Sequence, residues 1–153
     1  MLHFMTGDIF DSPAHTLVNP VNCVGVMGAG LALEFKKRFP QEFKNYVQFC
    51  RSGNLHRGKC LMLTTSDEYN PYKRMILAAA TKGDWRYPSR LDDIESVIDM
   101  IAAIAIANPL VKSIAIPKLG CGCGGLDWKK QVRPLMVKYL ASNDIPIDIY
   151  VFE

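Results

Sequence analysis

The stretch Pro117-Lys118-Leu119-Gly120-Cys121-Gly122-Cys123-Gly124-Gly125-Leu126-Asp127 carries four glycines in six residues, directly after the apolar run Ser113–Pro117. That run reads as a buried strand, and a helical pattern with Val132, Leu135, Met136, Tyr139 and Leu140 follows the glycines. A glycine loop between strand and helix lets the backbone approach a ligand closely, and its successive N–H groups can form a nest for an anion. Gly120, Gly122 and Gly125 also match G-x-G-x-x-G, the dinucleotide fingerprint, which is a weak signal when it stands alone. This unit is the last βαβ pattern in the sequence, so a full Rossmann domain is not expected to follow from it.

Working outward, Val18-Asn19-Pro20-Val21-Asn22-Cys23-Val24-Gly25-Val26-Met27-Gly28-Ala29-Gly30-Leu31-Ala32 repeats the arrangement, with three glycines within six residues at the mouth of a helix. A helix N-terminus offers unpaired N–H groups and partial positive charge to an anion. A tight-turned connection is the alternative for this loop. Two such loops on separate crossovers suggest one diphosphate clamped from both sides. No G-x-x-x-x-G-K-[ST] is present, so the chain is not a P-loop NTPase.

Leu2–Met5, Thr16–Asn19 running into Pro20, Cys60–Leu63, Arg74–Ala80 and Ile147–Phe152 read as further strands. Helical spacing follows Gly30, with Leu31, Phe35 and Phe39 on one face up to Pro40, and resumes over about Gln41–Arg51. Ser89-Arg90-Leu91-Asp92 resembles a capping box. It would open the longest helix, whose core stripe is Leu91, Ile94, Ile98, Ile101 and Ala105. Pro134 cannot sit deep in the final helix, so its regular part starts nearby. Alternating strands and helices predict an α/β fold, a mostly parallel sheet with helices on both faces. Ligands of such sheets sit beyond the carboxyl ends of the strands.

At 153 residues the chain fits one domain. Hydrophobic residues at 49% and charged residues at 22% exclude a disordered chain. No apolar run reaches the roughly 18 residues of a membrane span, and no signal peptide is visible, so a cytoplasmic location is expected. Five cysteines, an odd number, do not form a disulfide framework, and the C-x-C of Cys121 and Cys123 lacks the partners of a zinc site. Neither a metal nor a cofactor is expected. The net charge of +3 is compatible with a polyanionic partner without pointing to one.

Three further segments carry chemistry. In Thr6-Gly7-Asp8-Ile9-Phe10, Asp8 can accept from an adenine amino group with Ile9 or Phe10 against the ring; an Asx-type turn is equally compatible. In Ala80-Thr81-Lys82-Gly83-Asp84, a lysine stands directly after a buried strand, at the sheet end that holds both glycine loops. Partly desolvated beside a diphosphate, such an amine can attack a sugar C1. Trp85, Arg86, Tyr87 and Arg90 form a basic–aromatic cluster suited to single-stranded nucleic acid, or else Trp85 packs against the long helix.

The combination of G-D-I near the start, V-N-P-V-N-C-V-G-V-M-G-A-G-L-A at 18–32, A-T-K-G-D-W-R at 80–86 and P-K-L-G-C-G-C-G-G-L-D-W at 117–128 resembles the macrodomain family. Within it the chain is most similar to DarG-type antitoxin macrodomains, relatives of the terminal ADP-ribose protein glycohydrolase. The resemblance implies a single three-layer α/β/α macrodomain over residues 1–153, with a mixed, mostly parallel sheet. It implies cleavage of ADP-ribose from a modified target, for this branch thymidine in single-stranded DNA modified by a DarT-type toxin. Carried over by position, Asp8 and Ile9 would hold adenine and Asn22 would orient the distal ribose. Gly28, Ala29, Gly30, Leu31 and Thr81, with Gly120, Cys121, Gly122, Cys123, Gly124, Gly125 and Leu126, would surround the rest of the ligand. Lys82 would be catalytic, and Trp85, Arg86 and Arg90 are candidates for nucleic-acid contact. The terminal ADP-ribose protein glycohydrolase branch carries an acidic residue in the second loop, where this chain has Gly124. A reader that binds ADP-ribose without cleaving it would use the same loops, as would a hydrolase acting on a free ADP-ribose derivative or on modified protein.

Overall fold

The computed structural model describes residues 1–63, 74–122 and 124–151. Cys123 and Phe152, both named above, lie outside these residues. The strands are β1 (Leu2–Met5), β2 (Thr16–Val21), β3 (Cys60–Leu63), β4 (Met75–Ala80), β5 (Ile114–Pro117) and β6 (Ile147–Tyr150). They form one sheet in the order β1-β6-β5-β2-β4-β3. All neighbours pair in parallel except β3, which runs antiparallel to β4.

The helices are α1 (Gly30–Arg38), α2 (Pro40–Arg51), α3 (Leu91–Ala107) and α4 (Arg133–Leu140). Alternate residues of the central strands face opposite layers, as the period-two geometry of a strand requires. Val18, Leu77, Ala79, Ile114, Ile116, Ile147 and Ile149 pack with Ile94, Ile98 and Ile101 of α3 and Met136 and Leu140 of α4. Leu17, Val21, Ile76, Ala78, Ala80 and Ala115 pack with Phe35 of α1 and Tyr46 of α2. The result is the expected three-layer α/β/α sandwich around a mixed, mostly parallel sheet. Leu91, expected in the α3 stripe, is only half-buried, and Val97 and Ala102 fill the stripe instead.

Strand β2 continues through Pro20 to Val21. The Val21 carbonyl accepts from Thr81 N–H on the β4 side at 3.0 Å, so Pro20 points towards β5. There its missing N–H costs nothing, because β2 and β5 pair only at Thr16 and Leu17. Past Leu17 the two strands part, and a crevice opens between them.

The expected capping box at Ser89 does not form. The N-cap of α3 is Arg90, and among the described residues no side chain caps the helix and the buried Ser89 hydroxyl has no hydrogen-bond partner. The reciprocal cap lies instead before α4, where a single π-helical turn over Trp128–Val132 leads into the helix. Asp127 Oδ1 accepts from Lys130 N–H at 2.8 Å, and Gln131 Oε1 accepts from Asp127 N–H at 2.8 Å. Asp127→Ala removes the first of these and is expected to cost about 1 kcal/mol. A urea titration reads this as a lower midpoint at unchanged slope; an unaltered midpoint would show that the cap contributes nothing.

Candidate functional site

Strands β5, β2 and β4 are adjacent and parallel, so their carboxyl ends, Pro117, Val21 and Ala80, fall on one edge of the sheet. The loops that follow them enclose a cleft of about 550 Å³, within the range of small-molecule sites. Both glycine-rich loops and the Lys82 loop line it, which is the juxtaposition expected from their order along the chain.

The first wall is built by Asn22. Its Oδ1 accepts from the N–H groups of Val24, Gly25 and Val26 at 3.1, 3.2 and 3.3 Å, and its Nδ2 donates to the Val26 carbonyl at 2.8 Å. The Tyr46 hydroxyl also donates to Oδ1, at 2.9 Å. Asn22 lines the cleft, but its amide oxygen is committed to shaping the loop. What it can still offer a sugar is the second N–H of Nδ2. Beyond the loop, Gly28, Ala29, Gly30 and Leu31 line the cleft at the start of α1. Helix α1 has neither a side-chain cap nor an acidic residue in its first turn. Its N–H groups and positive helix end are therefore left for an anion.

The second wall is the loop after β5, of which Gly120, Gly122 and Gly124 line the cleft. The loop closes on itself through Leu126 N–H to the Gly120 carbonyl at 2.9 Å, and it is tied to the chain before α3 by Ser89 N–H to the Gly124 carbonyl at 3.0 Å. A Cβ on Gly124 would lie 2.4 Å from both the Gly120 carbonyl oxygen and Ser89 Oγ. No side chain fits there without moving the loop, so the acidic residue of the terminal glycohydrolase branch has no room at position 124. Gly120 adopts φ +76° with Ile94 Cδ1 only 2.9 Å from where a Cβ would stand. Conformation and space both demand glycine at that position.

At the floor, Thr81 is buried and Lys82 half-buried, both lining the cleft beside Trp85. Lys82 Nζ lies 3.4 Å from the Trp85 carbonyl. Trp85 is 56% exposed, so more than half of it stays open to solvent beside the cleft.

Other expected residues do not themselves line the cleft. Asp8 makes the Asx-type turn, its Oδ1 accepting from Phe10 N–H at 2.9 Å. Ile9 belongs to the core on the α1–α2 side. Neither is among the residues lining the cleft, and the same holds for Cys121, Gly125, Leu126, Arg86 and Arg90. The Arg86 guanidinium is clamped on Asp84, with Nε to Oδ1 at 3.0 Å and Nη2 to Oδ2 at 2.6 Å. Arg86 holds the Asp84 carboxyl down at about 2, so the two charges offset each other and Arg86 brings little net charge to a polyanion.

Burial pushes the Cys23 thiol up to about 11 and raises that of Cys121. Protonated thiols of this kind are poor nucleophiles.

Several lining residues were not singled out from the sequence. Val26 and Ala32 extend the first wall, and Ser89 and Lys118 stand on the opposite side. Lys118 was visible in the P-K-L-G motif, immediately after β5. The position of Ser89 depends on the packing of α3 against the loop and had no signal. Among the described lining residues, Lys82 and Lys118 are the ionisable groups, and there is no carboxylate. A cationic cleft with an uncapped helix end and two glycine walls fits a diphosphate.

The Macro domain family profile matches residues 18–135. The chain belongs to the macro domain family. The macrodomain is 38% identical over 151 residues to the DNA ADP-ribosyl glycohydrolase of Mycobacterium tuberculosis, covering 98% of this chain and 42% of that protein. It superposes on the structure of the macrodomain of Mycobacterium tuberculosis DarG with a TM-score of 0.86 and 36% identity, covering 98% of this chain and 97% of that one. The structure of Thermosipho africanus DarTG in complex with ADP-ribose matches with a TM-score of 0.86 and 34% identity, over 99% of this chain and 42% of that one. This macrodomain thus spans about two fifths of the length of the curated relatives it matches. No helix among its described residues is long and apolar enough to cross a membrane.

Proposed function

We propose that this macrodomain is an ADP-ribosyl glycohydrolase that removes ADP-ribose from thymidine in single-stranded DNA, with Lys82 as the reactive residue. The observation that carries this reading is the cleft itself: two glycine walls, the open N-terminus of α1, and lysines as its ionisable lining groups. The likeness to a protein whose structure holds ADP-ribose supports the ligand, and the likeness to DNA ADP-ribosyl glycohydrolases supports the target. A DarT-type transferase would supply the modified strand, as the likeness to a transferase–glycohydrolase fusion protein suggests.

In the proposed reaction the diphosphate sits between Gly28–Leu31 and Gly120–Gly124, which presents the distal ribose to Lys82. The bond from the anomeric carbon to the thymine nitrogen breaks. Water supplies hydroxyl to the carbon and a proton to the nitrogen. Lys82 either attacks the anomeric carbon to form a transient covalent adduct or stabilises the opened sugar. Trp85, exposed at the cleft, offers a stacking surface for a neighbouring base.

The test is a single-stranded oligonucleotide carrying ADP-ribose on thymidine, incubated with the protein. Release of free ADP-ribose is expected. Binding without release would make the protein a reader of the modification, and release only from modified protein or from a free ADP-ribose ester would move the substrate class. Trp85→Ala is expected to weaken binding of the modified strand by about 1–3 kcal/mol while leaving the affinity for free ADP-ribose nearly unchanged. Equal losses for both ligands would assign Trp85 to the cleft alone. The DNA reaction should also slow as salt rises, through counterion release from the strand.

A further inference from the structure

Tyr46 lies in α2, and its side chain is fully buried. Its hydroxyl nevertheless reaches the first glycine loop, where its one proton is shared between the Asn22 backbone carbonyl at 2.7 Å and Asn22 Oδ1 at 2.9 Å. That Oδ1 is the same atom that gathers the N–H groups of Val24, Gly25 and Val26. The loop in turn is seated on α2: a Cβ on Gly25 would stand 3.6 Å from Cys50 Cβ and 3.8 Å from Val47 Cα. It is also tied to the Lys82 segment by Cys23 N–H to the Gly83 carbonyl at 3.0 Å. One buried hydroxyl therefore orients the hub on which the first wall of the cleft is folded, and that wall is in register with Lys82.

We propose that Tyr46 is a positioning residue: through Asn22 it holds loop 22–26 in the shape that receives the ligand, so that the loop need not be ordered on binding. This rests on the reading that the cleft takes ADP-ribose. Burial keeps the phenol protonated far above its ordinary range, so it stays a donor at any working pH. Preorganisation of this kind appears in affinity, because an unheld loop loses entropy when the ligand orders it.

The test compares Tyr46→Phe with the wild type and with Tyr139→Phe, which removes a hydroxyl bonded to Glu95 on the α3–α4 side. ADP-ribose affinity is measured by calorimetry, and backbone amide exchange at Val24, Gly25 and Val26 is measured without ligand. Tyr46→Phe is expected to bind about tenfold more weakly and to exchange faster at those three amides, whereas Tyr139→Phe matches the wild type in both. A Tyr46→Phe protein with a lowered melting midpoint but wild-type affinity and loop exchange would make the hydroxyl merely structural and overturn the proposal. If the wild type binds no ADP-ribose, the functional reading fails, and loop exchange alone then decides the role of Tyr46. Free exchange of the three amides in the wild type overturns the proposal without any variant.

Discussion

Lys82→Ala is expected to slow release of ADP-ribose from the modified oligonucleotide by about 100- to 10,000-fold, with affinity for free ADP-ribose changed by no more than about threefold. The separation of the two effects follows from where the residue stands. Lys82 is the second residue after the fully buried end of β4, it is half-buried, and its amine touches the protein at the Trp85 carbonyl, 3.4 Å away. Truncation removes no core packing. The ligand's diphosphate would be held by backbone groups of the two glycine loops, which the substitution leaves in place. Lys82→Arg sharpens the comparison, because it keeps the charge but presents a guanidinium that does not act as a nucleophile. Partial rescue by arginine would favour stabilisation of the opened sugar; none would favour attack by the amine. Turnover by Lys82→Ala at the wild-type rate would remove the lysine from the mechanism altogether.

Gly124→Ala should be the most disruptive single methyl in the second wall. The new Cβ would stand 2.4 Å from the Gly120 carbonyl oxygen and from Ser89 Oγ, and 2.8 Å from the Gly120 carbonyl carbon. Two of these three atoms are backbone, so no rotamer change relieves the clash, and the loop must move. Moving it strains the Ser89 N–H to Gly124 carbonyl and Leu126 N–H to Gly120 carbonyl bonds. The expected cost is about 1–3 kcal/mol of stability, with ADP-ribose affinity lowered at least about tenfold as the wall shifts. Gly122→Ala is the control. Gly122 lines the same cleft, yet a Cβ there meets nothing within 4 Å, so stability should stay at the wild-type value whatever happens to binding. Urea denaturation and calorimetry on both variants measure the two quantities. A Gly124→Ala protein as stable as Gly122→Ala would mean that the loop accommodates the methyl freely.

Much of this was legible in the chain. Strand and helix patterns predicted the elements to within a few residues, and their alternation predicted the layered α/β arrangement. Glycine clusters placed directly after strands marked both walls of the cleft, because few other residues let a backbone come so close to a ligand or take the angles needed at Gly120. Lys82 could be singled out by its place after a buried strand. Periodicity and residue type are local, and these features depend on local chemistry.

What the sequence left open are relations between segments far apart in the chain. Strand order β5-β2-β4 and the parting of β2 from β5 decide that a crevice exists, and crossover patterns do not state which strands become neighbours. Ser89, read as a cap, leaves that role to no side chain and sits beneath the Gly124 loop, because α3 begins one residue later and packs against that loop. Asp8 Oδ1 caps the turn at Phe10 while the residue stays exposed, and Arg86 closes on Asp84, local partners that residue type alone does not reveal. Asn22 lines the cleft, and Tyr46, brought in by α2, helps hold its oxygen for the loop, so that the second N–H of Nδ2 is what it can offer a sugar. A side chain's partner is set by what packing brings within about 3 Å of it, and that distance belongs to the tertiary structure alone.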